Sequence, residues 1–179
     1  MAETNGGPLK GIKVIELGTL IAGPFCARML AEFGAEVIKI EAPDGGDPLR
    51  KWRKLYQGTS LWWYVQARNK KSLTLNLKLP EAQEIVRKLA ERADIVVENF
   101  RPGTMEKWGL GWEQLSKLNP GLIMVRLSGF GRPAPTATAP ALAPSVSRWE
   151  GYATSPAIPT GRRCGSAFRS GIRLPRCTG

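Results

Sequence analysis

KVIELGTLIAGPFCARMLAEFGAEVIKI, residues 13–40, is the stretch on which the architecture turns. Lys13 to Leu17 is a short apolar run bounded by a glycine and reads as a buried strand. Gly18 to Gly23 reads as a loop. Pro24 to Phe33 reads as a helix, with Pro24 suited to the first turn and Phe25, Met29 and Phe33 on one face. Gly34 ends the helix, and Glu36 to Ile40 supplies a second strand. Two strands this close in sequence, with a helix between them, predict a βαβ unit and therefore a parallel sheet.

Working outward, Asp44 to Asp47 places two glycines between two acids and predicts a turn. Leu61 to Val65 is too short and too aromatic to assign. Ser72 to Leu77 alternates as a strand. Pro80 to Ala93 is an amphipathic helix with Ile85, Val86 and Leu89 inward, and Asp94 to Glu98 is another strand, giving a second βαβ unit. A short helix near Met105, a helix from Trp112 to Leu118 and a strand from Leu122 to Leu127 follow. The expected fold class is α/β, an open Rossmann-like parallel sheet with flanking helices.

That order stops after Gly131. Residues 132–179 hold seven of the 14 prolines, seven arginines, one acid (Glu150) and no lysine, and much of the formal charge of +11 is concentrated there. Such a composition buries too little apolar surface to offset its ordering entropy, so this tail is expected to be disordered. The chain thus divides into a polar leader (1–7), an α/β portion (8–131) and a basic Pro/Ala/Arg-rich tail (132–179). With 179 residues and 42% hydrophobic content it can bury one good core. No run approaches the roughly 18 apolar residues of a membrane span, and a cytoplasmic location is expected.

The residue inventory narrows the chemistry. Histidine is absent, which removes Ser-His-Asp and Cys-His nucleophiles, histidine bases and the commonest metal ligand. Cys26, Cys164 and Cys177 have no metal-ligand spacing, and Cys26 reads as a small buried hydrophobe. No metal site is expected. Gly18 to Pro24 lies between a strand and a helix, where backbone N–H groups can meet an anion. It is neither a Walker A loop nor a G-x-G-x-x-G fingerprint, and a tight turn is an equally good reading.

Arg68, Lys70, Lys71, Lys78 and Arg101 fall near strand ends, as a ligand with several phosphates would require, although each taken alone reads as a solvated charge. Phe100 and the run Trp62-Trp63-Tyr64 read as packing before they read as stacking platforms. Glu41, Asp44 and Asp47 sit at one turn, where an acid/base pair is conceivable in principle, but a solvated glycine-rich turn is the simpler expectation.

Seven motifs then occur in sequence: LKGIKVIEL (9–17), AGPF (22–25), GAEVIKIE (34–41), GDP (46–48), NKKS (69–72), ENFRPG (98–103) and LSGFG (127–131). Their order and spacing resemble the class III coenzyme A transferase family, which includes formyl-CoA transferase and carnitine CoA-transferase. The resemblance covers residues 8–131 and implies the N-terminal part of that family's large domain. It implies transfer of coenzyme A from an acyl-CoA donor to a carboxylic acid, through an aspartyl-CoA intermediate. It also implies a second, smaller domain and an interlocked homodimer.

By the same resemblance, Ile21, Ala22, Leu75, Asn76, Leu77, Lys78, Asn99, Phe100, Arg101 and Lys107 fall where the family contacts coenzyme A. Lys78, Arg101 and Lys107 would meet phosphates, and backbone near Ile21 and Leu75 would line the adenine pocket. Formyl-CoA transferase has an arginine where this chain has Ala42. The family nucleophile sits in a Gly-Asp pair downstream of the LSGFG motif, whereas no aspartate follows Asp94 here, so no catalytic residue is assigned and the chain is expected to be an inactive truncated transferase.

The tail is expected to be read one base out of register, since a one-base shift at the codons of Gly171-Ile172 yields Gly-Asp. Two alternatives stand beside this reading. One is the acyl-CoA racemase branch of the same family, which uses a His/Asp pair. The other is a basic nucleic-acid-binding protein driven by counterion release. The latter is disfavoured because the tail has no groove-reading helix, and Trp149, Tyr152 and Phe168 form no recognisable platform.

Overall fold

The computed structural model describes residues 6–129. In chain order the elements are β1 (Lys13–Glu16), α1 (Ala22–Glu32), β2 (Glu36–Glu41), a 3-10 turn (Pro48–Lys51), β3 (Leu55–Tyr56), β4 (Thr59–Ser60) and α2 (Leu61–Gln66). They continue as β5 (Lys70–Thr74), α3 (Pro80–Ala90), β6 (Ile95–Glu98), α4 (Thr104–Lys107), α5 (Trp112–Leu118) and β7 (Ile123–Arg126). Five strands form one sheet in the order β5-β2-β1-β6-β7, and β3 and β4 form a separate hairpin. Every pairing in the larger sheet is parallel. The expected open α/β fold is therefore the observed one.

Strand alternation assigns the two faces. Val14, Val37 and Val97 pack with Ala27, Ala31 and Ala35 on the α1 side. Ile15, Ile40 and Val96 pack with Val86, Ala90, Met105, Leu110 and Leu115 on the opposite side, under α3, α4 and α5. Both faces are covered, which is why the strands read as continuous apolar runs rather than as a polar-apolar alternation.

Several local expectations change. The inward face of α1 is Gly23, Pro24, Ala27 and Ala31, while Phe25 and Phe33 are half exposed. Small side chains let the helix lie close to the sheet, so the aromatics are displaced to its flanks. In α3 the buried stripe is Ala82, Val86 and Ala90, four residues apart, and Ile85 points outward with 42% exposure. The strand expected at Ser72–Leu77 begins two residues earlier and ends at Thr74, leaving Leu75 and Leu77 in the connection to α3. The unassigned aromatic segment is α2, whose N-cap Ser60 accepts from the Trp62 amide at 3.1 Å. Cys26 is half-buried rather than buried. Phe130, Gly131, the tail from Arg132 onward, Cys164 and Cys177 lie outside the described residues.

Candidate functional site

The carboxyl ends of parallel strands gather the loops of an α/β sheet, and a ligand crevice forms where successive connections leave in opposite directions. Here β1 lies between β2 and β6, so that point falls between the loop after β1 and the loop after β6. Nine of the ten residues expected to contact coenzyme A lie along this edge. Ile21 caps α1 and Ala22 opens it, both exposed; Leu75, Asn76, Leu77 and Lys78 follow β5; Asn99, Phe100 and Arg101 follow β6. Lys107 is set apart on α4, exposed.

The surroundings of these residues differ. Leu75, Leu77 and Phe100 pack partly buried against the core under α3. The Phe100 ring meets Trp108 edge-on at 5.2 Å, which makes it part of the packing. Asn76 Oδ1 accepts from the Lys78 amide at 3.2 Å and holds that turn. Lys78 and Arg101 are exposed.

The loop after β1 closes on itself. A Cβ on Gly23 would stand 2.6 Å from the Gly18 Cα, and one on Gly18 would stand 2.7 Å from the Gly23 Cα, so the two glycines permit an approach no other residue allows. Asn99 bridges the loop to β6: its Oδ1 accepts from the Thr19 amide at 2.7 Å and its Nδ2 donates to the Thr19 carbonyl at 2.9 Å. The Leu20 amide, at φ 66°, donates to Asp47 Oδ1 at 2.9 Å. Two amides of the loop are thus already held by side chains of the protein. Of the two sequence readings of this loop, the tight turn describes it better than an anion cradle.

Beneath that loop lies a chain of buried charges. Lys39 Nζ stands 2.7 Å from Glu16 Oε1 and 2.7 Å from Asp47 Oδ2, and it donates to the Gly18 carbonyl at 2.8 Å. Lys70 Nζ stands 2.7 Å from Glu16 Oε2 and donates to the Pro24 carbonyl at 2.8 Å. The side chains of Glu16, Lys39, Asp47 and Lys70 are at most 2% exposed. Burial pushes the Lys70 ammonium below its ordinary pKa, against the opposing pull of Glu16. Burial also raises the Cys26 thiol, with Glu16 adding to the effect and Lys70 opposing it.

A second cluster closes the end of β2. Arg50 Nε and Nη2 donate to Glu41 Oε2 and Oε1 at 2.7 and 2.9 Å, the Asp47 amide donates at 3.0 Å and Ser72 Oγ at 2.7 Å. Burial alone would raise the Glu41 pKa, but Arg50, the Asp47 amide and Ser72 outweigh it and hold the carboxyl at about 2. The Arg50 guanidinium also lies 3.8 Å from the Trp63 ring centroid. The solvated acidic turn expected at 41–47 is therefore corrected: Glu41 and Asp47 are buried, and only Asp44 faces solvent. Glycines gave that turn its flexible look, but the acids beside them are claimed by cations. Glu98 ends β6 in a similar way, accepting from the Phe100 amide at 2.8 Å and from Arg126 Nε at 2.8 Å.

Sequence reasoning passed over Glu16, Lys39 and Glu98 and treated Lys70 as a solvated charge. A signal for the acids was present. Three apolar strands end in glutamate, as Val14-Ile15-Glu16, Lys39-Ile40-Glu41 and Val96-Val97-Glu98. A carboxylate at the end of a doubly covered strand needs a cationic or amide partner. Among the described residues no helix is long and apolar enough to cross a membrane, and no group of three or more Cys, Asp or Glu is placed to hold a metal.

Comparison with known proteins agrees with this geometry. The family model CoA-transferase family III matches residues 9–168. Succinyl-CoA--D-citramalate CoA-transferase of Chloroflexus aurantiacus is 60% identical over 129 residues, 72% of this chain and 32% of that protein. The beta subunit of succinyl-CoA--L-malate CoA-transferase from the same organism is 48% identical over 155 residues, 86% of this chain and 38% of that protein. The crystal structure of Rv3272 from Mycobacterium tuberculosis superimposes with a TM-score of 0.77 at 38% identity, covering 87% of this chain and 42% of that one. The chain thus spans about a third of the length of these curated relatives. With a family model matched across most of its sequence and a sheet shared with a solved relative, this chain belongs to CoA-transferase family III.

Proposed function

We propose that the carboxyl edge of this sheet binds the coenzyme A moiety of an acyl-CoA. The observation that carries the reading is a loop after β1 held by side chains of the protein beside exposed cations on the loops after β5 and β6. The Thr19 and Leu20 amides are engaged by Asn99 and Asp47, which leaves these two donors unavailable to a ligand and gives side chains a larger share of the phosphate contacts. Lys78 and Arg101 are exposed on the loops at that edge, and Lys107 is exposed at the end of α4, the helix that follows the Arg101 loop. Half-buried Leu75 and Leu77, with Ile21 and Ala22 across the sheet, offer apolar contact for the adenine and pantetheine portions. Asn76, Asn99 and Phe100 shape the turns that present them.

Calorimetric titration of the chain with coenzyme A tests this. The triple substitution Lys78→Ala, Arg101→Ala and Lys107→Ala removes three charge-assisted contacts of about 1.5 kcal/mol or more each and should weaken binding by about 1,000-fold or more. An affinity unchanged by the triple substitution refutes the assignment.

For the intact protein we propose transfer of coenzyme A between acids. An aspartate carboxylate attacks the donor thioester, the coenzyme A thiolate departs, and an enzyme-bound mixed anhydride remains. The thiolate then attacks the aspartyl carbonyl, which releases the donor acid and leaves an aspartyl-CoA thioester for the acceptor carboxylate. No aspartate follows Asp94 in this sequence, so the chain alone is proposed to bind coenzyme A without turnover. The two curated relatives are named for succinyl-CoA and for D-citramalate and L-malate, and a succinyl donor with a short dicarboxylic acceptor is the corresponding proposal here. We further propose that the intact protein works as a homodimer.

A further inference from the structure

We propose that the alternating chain Asp47–Lys39–Glu16–Lys70 is a positioning device that sets the loop between β1 and α1 for the coenzyme. The inference rests on the coenzyme-binding reading above and assigns these four residues a role in that site without contact to the ligand. Together with Asn99 they hold four backbone atoms of the loop and one in the first turn of α1. Lys39 takes the Gly18 carbonyl, Asn99 takes the Thr19 amide and carbonyl, Asp47 takes the Leu20 amide and Lys70 takes the Pro24 carbonyl. The bonds run from 2.7 to 2.9 Å and bracket Ile21 and Ala22 on both sides.

Stability alone is a poor reason for such a chain. Two carboxylates and two ammonium groups are withdrawn from water, and apolar residues of the same volume often serve a fold equally well. Lys39 shows what the charges achieve instead. Its Nζ donates to Glu16 Oε1 and to the Gly18 carbonyl and is paired by charge with Asp47 Oδ2 at 2.7 Å. The charges neutralise one another, so the donors and acceptors left over are aimed at loop backbone. A ligand loop with Leu20 at φ 66° needs such outside restraint to keep one conformation. Glu16 ends β1, Lys39 lies within β2 and Lys70 opens β5, so the loop inherits the rigidity of the sheet.

Two charge-neutral double variants test the inference. Glu16→Gln with Lys70→Met cuts the Pro24 tether, and Lys39→Met with Asp47→Asn cuts the Gly18 tether, while each leaves one carboxylate and one lysine in place. For each, urea unfolding, hydrogen exchange at the Thr19 and Leu20 amides, and coenzyme A affinity are measured on the full chain. The expected result is a near-native unfolding midpoint, loop amides that exchange at least about tenfold faster relative to the sheet, and affinity weakened about tenfold or more.

Loop exchange and affinity at wild-type levels in a folded double variant overturn the proposal. So does a loss of affinity that merely follows a fall in global stability. If neither variant folds, the unaltered chain still decides: Thr19 and Leu20 amides exchanging as freely as exposed turns overturn it, and protection comparable to the strands supports it. If the unaltered chain binds no coenzyme A, the binding reading fails, while the exchange data continue to report on the positioning role.

Discussion

Replacing Glu41 by glutamine isolates the charge of the best-formed ion pair in the structure. Glutamine keeps the volume and an oxygen for Ser72 or the Asp47 amide, so what disappears is the negative charge facing Arg50. A carboxyl held at about 2 instead of its ordinary 4.5 carries about 3 kcal/mol of stability when fully ionised. The Arg50 side chain is 36% exposed, so solvent screening brings the expected loss to about 2 kcal/mol. The folded pKa is depressed, so this contribution is complete above about 4.5 and is lost as the pH falls through about 2.

Urea unfolding of both proteins, followed at pH 6 and then stepwise downward, reads the difference directly. The wild type should exceed Glu41→Gln by about 2 kcal/mol at pH 6, and the gap should close between about pH 4.5 and pH 2. Using the difference between the two proteins cancels the acids they share. A gap that stays constant across that range shows that packing, not charge, produces the loss, and refutes the account of the β2 end.

Three further outcomes are expected. Gly23→Ala places a methyl group 2.6 Å from the Gly18 Cα and 3.0 Å from Asn99 Oδ1, and should cost about 1–3 kcal/mol with faster exchange at the Thr19 amide; an unfolding midpoint at the wild-type value contradicts the close-approach argument. Arg126→Met removes the guanidinium from Glu98 Oε1 at 2.8 Å and from Glu106 Oε1 at 2.6 Å, and a loss of about 3 kcal/mol in urea unfolding is expected; a loss below about 0.5 kcal/mol shows the pair to be dispensable. Sequencing the gene through the Gly131 codon should reveal a single-base shift that restores a Gly-Asp pair, and a locus in which no such shift opens a long frame ends that explanation of residues 132–179.

The fold was legible because a parallel sheet covered on both faces writes itself as uninterrupted apolar runs. Val14-Ile15, Val37-Ile38 and Val96-Val97 each mark a strand of the sheet, and α5 appears at its expected bounds, Trp112–Leu118. What failed was the facing of side chains. Phe25 and Phe33 outrank Ala27 and Ala31 in hydrophobicity, yet the alanines are buried because α1 approaches the sheet closely. The family motifs located the loops of the candidate site, but not the buried charges under them. Glu16 meets Lys39 because those two residues are paired in the β1–β2 register, and Lys70 joins them from β5 on the far side of β2. Register comes from tertiary pairing, and nothing in a single strand announces it.

Charge and apolar surface are therefore assigned to different stretches of the same strands. The middles of β1, β2 and β6 hold the two cores together, and their terminal glutamates turn from the core to the loops that follow. A buried carboxylate is a costly way to stabilise a sheet but an effective way to orient a loop, because it accepts several hydrogen bonds and fixes their directions. Glu16 acts through two lysines, Glu41 through an arginine and the Asp47 amide, and Glu98 through an arginine and the Phe100 amide. Substitutions in the middle of these strands should accordingly lower global stability and leave the surviving folded molecules competent to bind. Charge-balanced double exchanges within the Asp47–Lys39–Glu16–Lys70 chain should leave stability near native and loosen the ligand edge, so the two classes separate when affinity is plotted against unfolding midpoint.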